Sequence, residues 1–343
     1  VVDDSAVMRE LLSSVLSRDA TIRVAVAADP VIAMVKMKQA RPDVLLLDLE
    51  MPRLHGLNFL RKLMAEDPIP VVVCSALAPR GTDLALRALE EGAVEIYPKP
   101  RLAESGSLDA WGVALVRTLH DAARARLPQR GATGARPAAP VPQLPERAAA
   151  ARVPSHSVIA IGASTGGPDA LRTVLAELPG DCAGIVIAQH MPSGFTAALA
   201  RHLDSVCAVA VQEAVDGDAI LRGRALIAPG DQHMLVLRTG GVFSVSLSSG
   251  PRVSGHRPSV DVLFRSVARA AGRRSVGVIL TGMGSDGAQG LLEMRKVGAV
   301  TVAQDEETCM VFGMPKEAVN LGAATRVLPL PRVAAELVAA GAR

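Results

Sequence analysis

Aromatic side chains are scarce in this chain: its 343 residues include one Trp, one Tyr and five Phe, although 49% are hydrophobic. Any core must be built from Ala, Val and Leu, and the base-stacking platforms of single-strand nucleic-acid binders have little to be made from. Charge of one sign is lacking too. The 37 Lys and Arg and the 34 Asp and Glu are interspersed and leave a net charge of +3, which offers no footprint for a polyanion. Cys74, Cys182, Cys207 and Cys309 are far apart and form no C-x-x-C pair, so neither a zinc knuckle nor a disulfide framework is expected, and reduced thiols in a cytoplasmic protein fit best. No apolar run reaches the roughly 18 to 20 residues of a membrane span, and no charged-apolar-small leader precedes the first strand. The chain opens at Val1 without an initiator Met, so its first strand is expected to be incomplete. With no heptad and no conspicuous apolar stripe, a monomer is the default expectation.

What is present is periodic. Aliphatic runs at 43–47 and 69–74 alternate with segments at 6–17 and 32–40 whose apolar residues recur at helical spacing. This is the pattern of a parallel α/β sheet. The stretch 126–154 then brings Pro128, Pro137, Pro140, Pro142, Pro145 and Pro154 among Ala, Arg and Gly, with no apolar period, as a linker does. Beyond it the alternation resumes, with strand-like runs at 157–161, 184–188, 224–228 and 275–280 and helical segments at 169–178 and 260–271. Alternation around Gly240-Gly241 suggests a β-hairpin over 234–248. The length calls for two cores. The expected organisation is an N-terminal doubly wound α/β domain over 1–122, a linker over 123–154, and a C-terminal Rossmann-like α/β domain with a hairpin over 155–343.

In open α/β sheets, chemistry gathers at the carboxyl ends of the strands. In the first domain Asp3 and Asp4 end the first strand, Asp48 ends the run 44–47, Ser75 follows 71–74, and Lys99 precedes Pro100. Convergent carboxylates repel one another unless a hard cation neutralises them, and Mg2+ favours oxygen ligands while keeping waters for a phosphoryl group. Asp48 is then placed to attack phosphorus and form an acyl phosphate. Taken singly, each acid could equally cap a helix or solvate a loop. Together, Val2-Asp3-Asp4-Ser5, Asp48-Leu49-Glu50-Met51-Pro52, Gly56, Ser75-Ala76 and Lys99-Pro100 resemble the receiver domains of two-component response regulators. The resemblance implies a flavodoxin-like fold and phosphorylation at Asp48. It places Mg2+ on Asp3, Asp4, Asp48 and the Glu50 backbone, and the phosphate against Ser75 and Lys99. The position three before the lysine, an aromatic switch in many receivers, is Ile96 here, with the lone Tyr97 one residue later.

In the second domain a strand-like run enters Gly162-Ala163-Ser164-Thr165-Gly166-Gly167-Pro168 and then a helical pattern. A serine at such a turn is lifted off the sheet edge, next to helix amides that can stabilise an oxyanion. A helix cap or a phosphate-cradling loop would use the same residues. His190 follows the run 185–189 and Asp286 follows 276–280, each at a strand's carboxyl end, where base and orienting acid would complete a triad. The order Ser, His, Asp is not that of the α/β-hydrolases. On chemistry alone His202, His233 and His256 compete with His190, and Asp286 between glycines could be a turn residue. Gly282-Met283-Gly284-Ser285-Asp286-Gly287 also fits a dinucleotide fingerprint, with Asp305 some 20 residues on. Against that, a pyrophosphate would meet the Asp286 carboxylate.

The motif around Ser164, with Gln189-His190-Met191-Pro192, Ala228-Pro229-Gly230-Asp231-Gln232-His233-Met234 and the loop around Asp286, stands behind a complete receiver. The whole chain thereby resembles the chemotaxis protein-glutamate methylesterases, the CheB family. That resemblance implies a Ser164, His190, Asp286 triad, flanked by Thr165 and Met283 whose amides bind the oxyanion. It implies hydrolysis of glutamate methyl esters on chemoreceptors, deamidation of glutamines, no metal for hydrolysis, and a chemotaxis histidine kinase as phosphodonor. The unphosphorylated receiver is expected to block the catalytic face and phosphorylation to open it. A response regulator with a non-catalytic binding or dinucleotide-binding output domain is the alternative.

Overall fold

A computed structural model describes residues 1–51, 56–76, 79–100, 108–127 and 153–341. Most of the Pro-rich linker, at 128–152, and Pro52 of the receiver motif lie outside the described residues. The chain divides into two compact units, Val1–Leu127 and Pro128–Arg343.

In the first unit β1 (Leu45–Leu47), β2 (Val71–Ser75) and β3 (Glu95–Pro98) form a parallel ladder in that order. Val2 bridges in parallel to both Leu47 and Ala27. The first two segments therefore extend the ladder beyond β1, and the order is the 2-1-3-4-5 of a flavodoxin-like fold. β1 and β2 are buried on both faces, as strands covered by helices on both sides are. Pairing begins at Leu45, short of the expected 43, and Asp43 is exposed. Among the described residues the helices Ala6–Leu16, Pro30–Gln39, Gly56–Glu66 and Pro79–Glu90 alternate with these strand segments, and Leu108–Ala123 follows β3. Ser5 and Asp29 cap the first two through Met8 N–H and Ile32 N–H, a preferred cap chemistry.

The lone Trp and lone Tyr meet in this unit. Tyr97 Oη donates to the Trp111 carbonyl at 2.6 Å, and Trp111 Nε1 donates to the Pro98 carbonyl at 2.9 Å. Their ring centroids are 5.5 Å apart. Burial pushes the Tyr97 phenol well above its ordinary pKa. Ile96 is buried in the sheet, so neither residue is a free aromatic rotor.

The second unit holds β4 (Val158–Ala163), β5 (Gly184–Gln189), β6 (Ala210–Glu213), β7 (Arg224–Ile227), the hairpin β8 (His233–Thr239) and β9 (Val242–Ser248), then β10 (Ser275–Ile279), β11 (Val300–Gln304) and β12 (Arg326–Leu328). Seven of them form one all-parallel sheet in the order β12-β11-β10-β4-β5-β7-β6. The chain winds outward from β4 through β5, then returns to lay β10 on the other side of β4. A crevice opens at such a reversal, at the carboxyl ends of the two strands. The hairpin is separate from the sheet and packs on the helix Val260–Ala271, with Val236 N–H donating to Ser266 Oγ at 2.8 Å. The core is aliphatic as the composition requires, with Phe195, Phe243 and Phe264 as its large fully buried rings. No helix among the described residues is long and apolar enough to cross a membrane.

Candidate functional site

The β4/β5 register pairs Ala163 with Gln189, so Ser164 and His190 are the next residues on adjacent strands. The His190 N–H donates to the Ala163 carbonyl at 3.0 Å, and Gln189 Nε2 holds the carbonyls of both Ser164 and His190, at 2.9 and 3.1 Å. On the other side of β4, Ser164 N–H donates to the Thr281 carbonyl at 3.0 Å, just past the end of β10. Three strand ends thus converge at the reversal of the sheet. The turn after Ser164 places its positive φ, +75°, on Gly166, while Ser164 has none. This differs from a strained nucleophile elbow, in which the serine itself carries the strain. Gly282 has no room for a side chain: a Cβ there would lie 2.6 Å from Ser164 Cβ and 2.5 Å from Met314 Sδ.

His190 Nε2 lies 2.8 Å from Asp286 Oδ2, with both side chains nearly inaccessible. Asp286 also accepts from Ser259 Oγ (2.8 Å), Val260 N–H (2.7 Å) and Asp261 N–H (3.2 Å), the first turn of the helix Val260–Ala271. Burial opposes its charge, but the His190 imidazole, the Ser259 hydroxyl and the Val260 amide outweigh that cost and hold its pKa below the ordinary carboxylate value. His190 Nδ1 is buried with no hydrogen-bond partner, and Ser164 Oγ makes no hydrogen bond among the described residues. The free acceptor and the free hydroxyl belong to adjacent residues of the same sheet edge. Neither Thr165 N–H nor Met283 N–H donates within the described chain, so both amides remain for a ligand.

The glycine-rich loop after β10 does not cradle a phosphate. Asp286, just before the helix Ala288–Lys296, occupies the amides of the helix Val260–Ala271. Asp261, in that latter helix, accepts in return from Gly290 N–H at 2.7 Å in the former. The two helix N-termini are thus closed by internal carboxylates, where a dinucleotide would require vacant amides. Asp305 folds onto Thr308 N–H and Oγ1, at 3.0 and 2.6 Å, as a local turn.

His202 accepts from Ser205 Oγ through its carbonyl, on the helix Phe195–Val206. The other rivals of His190 are closer. His233 is buried, accepts from Ser259 N–H at Nδ1 (3.2 Å) and bonds the Pro251 carbonyl through Nε2 (2.9 Å). It supports the residue that supports Asp286. His256 stacks on His190 itself, with centroids 3.7 Å apart and planes within 3°. Ser259, in Ser-Val-Asp-Val before an apolar helix, carries a cap signal readable in sequence.

In the first unit Asp3, Asp4 and Asp48 bring carboxylate oxygens within 4.8 Å of one another, with Asp3 and Asp48 buried and Asp4 exposed. Lys99 Nζ stands 2.7 Å from Asp48 Oδ2 and 3.1 Å from Asp3 Oδ2. The Glu50 N–H donates to Asp48 Oδ1 at 3.1 Å, and Lys99 N–H to the Ser75 carbonyl at 2.9 Å. Arg9 ties the acidic loop through the carbonyls of Asp3 and Asp4. Burial lifts the pKa of Asp3 above its ordinary value, against the pull of Lys99. Burial also opposes the Lys99 ammonium, but Asp48 and Asp3 hold its pKa above the ordinary lysine value. The convergent carboxylate oxygens of Asp3, Asp4 and Asp48 form an all-oxygen donor set that fits a hard divalent cation.

Residues 159–337 match the family model described as CheB methylesterase, and residues 1–105 that of the response regulator receiver domain. The protein-glutamate methylesterase/protein-glutamine glutaminase 5 of Anaeromyxobacter dehalogenans is 56% identical, covering 98% of this chain and 95% of that one. The protein-glutamate methylesterase/protein-glutamine glutaminase 3 of Geobacter metallireducens is 50% identical, covering 98% and 97%. Among solved structures, the CheB methylesterase catalytic domain of Thermotoga maritima matches with a TM-score of 0.52 and 39% identity, covering 53% of this chain and 97% of that one.

Proposed function

The chain belongs to the CheB methylesterase family, and from that premise we propose that its second unit hydrolyses glutamate methyl esters of chemoreceptors and deamidates their glutamines, under control of phosphorylation at Asp48. The observation that carries the chemistry is the buried His190–Asp286 pair, which leaves Nδ1 free beside Ser164. Nδ1 takes the Ser164 proton as Oγ attacks the γ-carbonyl carbon. The Asp286 carboxylate, held on Nε2–H, stabilises the imidazolium. Thr165 and Met283 amides donate to the oxyanion. When the intermediate collapses, the C–O bond to the methyl ester oxygen breaks, His190 returns the proton, and methanol leaves. Water then attacks the acyl-serine with His190 again as base, and a glutamate is released with Ser164 restored. On a glutamine the leaving group is ammonia.

In the receiver, Asp3, Asp4, Asp48 and the Glu50 backbone would hold Mg2+, which when bound offsets the charge of the acids and of an incoming phosphoryl group. Asp48 accepts that group from a chemotaxis histidine kinase, and Lys99 and Ser75 contact its oxygens. Phosphorylation of Asp48 replaces the direct Lys99–Asp48 pair with contacts of Lys99 to the phosphoryl oxygens, and this rearrangement shifts the chain toward its active population. A cytoplasmic setting and a monomeric chain complete the reading.

Methanol release from methylated receptor membranes, with and without a small-molecule phosphodonor and Mg2+, tests it on the intact chain and Ser164→Ala. Stimulated release that Ser164→Ala abolishes is the expected result. Release that persists in Ser164→Ala overturns the triad.

A further inference from the structure

His190 is held at one ring nitrogen by one hydrogen bond. A ring pinned at a single atom can still swing about that contact, and a base that swings is misplaced for proton transfer. What removes this freedom is the parallel ring of His256 at 3.7 Å.

Several features bring His256 there. Val253 and His256 exchange both backbone hydrogen bonds, at 2.9 and 3.1 Å, across Ser254 (φ +53°) and Gly255 (φ +83°), the left-handed pair of a two-residue hairpin turn. The strap carrying this turn, 249–258, is fastened at both ends by the motif Ala228-Pro229-Gly230-Asp231-Gln232-His233-Met234, which the catalytic chemistry leaves otherwise unused. Asp231 Oδ1 meets Arg252 at 2.8 Å and Arg257 at 3.3 Å. Arg257 also donates to the carbonyls of Ser249 and Gly250, each at 2.9 Å. His233 holds the Pro251 carbonyl on one side and Ser259 N–H on the other. The strap therefore delivers His256 to one face of His190 and, at its end, Ser259 to Asp286.

We propose that His256 is a positioning residue for the general base, acting by stacking rather than by proton transfer. It fixes the His190 ring in the plane in which Nε2 meets Asp286 and Nδ1 is left for Ser164. This role rests on the assignment of His190 as base.

The test uses the full chain with phosphodonor and compares wild type, His256→Ala, His256→Phe and Ser164→Ala for kcat and KM of methanol release. Stacked aromatic pairs imply that His256→Ala lowers kcat roughly three- to tenfold with KM little changed, and that His256→Phe recovers most of it. In NMR spectra the ring protons of His190 are shielded by His256 in wild type, lose that shielding in His256→Ala, and keep it in His256→Phe. Unchanged kcat in a folded His256→Ala, or a His256→Phe as impaired as His256→Ala, overturns stacking. Should His256→Ala not fold, unshielded His190 protons in wild type overturn it. Activity surviving in Ser164→Ala would instead sink the triad, whereas Ser164-dependent activity indifferent to His256 sinks only the present proposal.

Discussion

Asp286→Asn separates the charge of the acid from its shape. Oδ2 receives His190 Nε2 and Val260 N–H at 2.8 and 2.7 Å, while Oδ1 receives Ser259 Oγ at 2.8 Å and Asp261 N–H at 3.2 Å. An asparagine has one oxygen and one NH2 to offer. An NH2 in place of Oδ2 would confront Val260 N–H at 2.7 Å; in place of Oδ1 it meets the longer Asp261 contact and a hydroxyl that can accept. The second orientation costs less. It leaves an oxygen on His190 Nε2–H, so the catalytic tautomer survives and only the charge is lost. A charge-assisted hydrogen bond contributes about 1.5–3 kcal/mol, so the expected fall in kcat is about 10²-fold. A wrong tautomer would cost about 10⁴-fold. The orphaned Asp261 N–H should also lower stability by about 1–3 kcal/mol. Methanol release and thermal denaturation of the purified variant measure both. A loss below about threefold in a folded variant refutes the role given to the carboxylate, and one near 10⁴-fold refutes the hydrogen-bond accounting.

Three further outcomes follow from the same geometry. Gly282→Ala drives a methyl against Ser164 Cβ and Met314 Sδ; overpacking of this kind costs about 1–3 kcal/mol, and displacement of Ser164 should lower kcat more than it raises KM. Asp48→Asn removes the phospho-acceptor and should abolish stimulation by a phosphodonor while basal methanol release continues; full stimulation in that variant would contradict the scheme. Because the folded pKa of Asp286 lies below its ordinary 3.8, its contribution to stability is present above that pH and is lost as pH falls through the depressed value. Wild type should therefore lose Tm more steeply than Asp286→Asn below about pH 4, and parallel acid limbs would argue against it.

The strand ends carried the legible part of the site. Ser164, His190 and Asp286 each follow an aliphatic run, and parallel strands bring such positions to one edge, so linear position was a proxy for proximity. Short edge strands were not legible in the same way. Ala210–Glu213 and Arg326–Leu328 are brief and half-exposed, and only pairing with β7 and β11 makes them strands. The segment ending at Ala27 joins the receiver sheet through a single bridge to Val2. His256 was indistinguishable from any other histidine because its role depends on where a strap folds. The Ser254-Gly255 dipeptide marks the turn in sequence but not its destination. The reciprocal capping of two helices by Asp261 and Asp286 pairs residues 25 apart, a distance at which no local pattern operates.

The hairpin tip has one more consequence. At Gly240 and Gly241 an added Cβ would meet nothing within 4 Å. Everything before that tip includes Ser164 and His190; everything after it includes His256, Ser259 and Asp286. A gene divided there would encode two mute halves, one holding a nucleophile and base without their acid, the other an acid with nothing to orient. Only when β10 docks against β4 would hydrolysis resume, so two proteins of interest fused to the halves could report their meeting as released methanol.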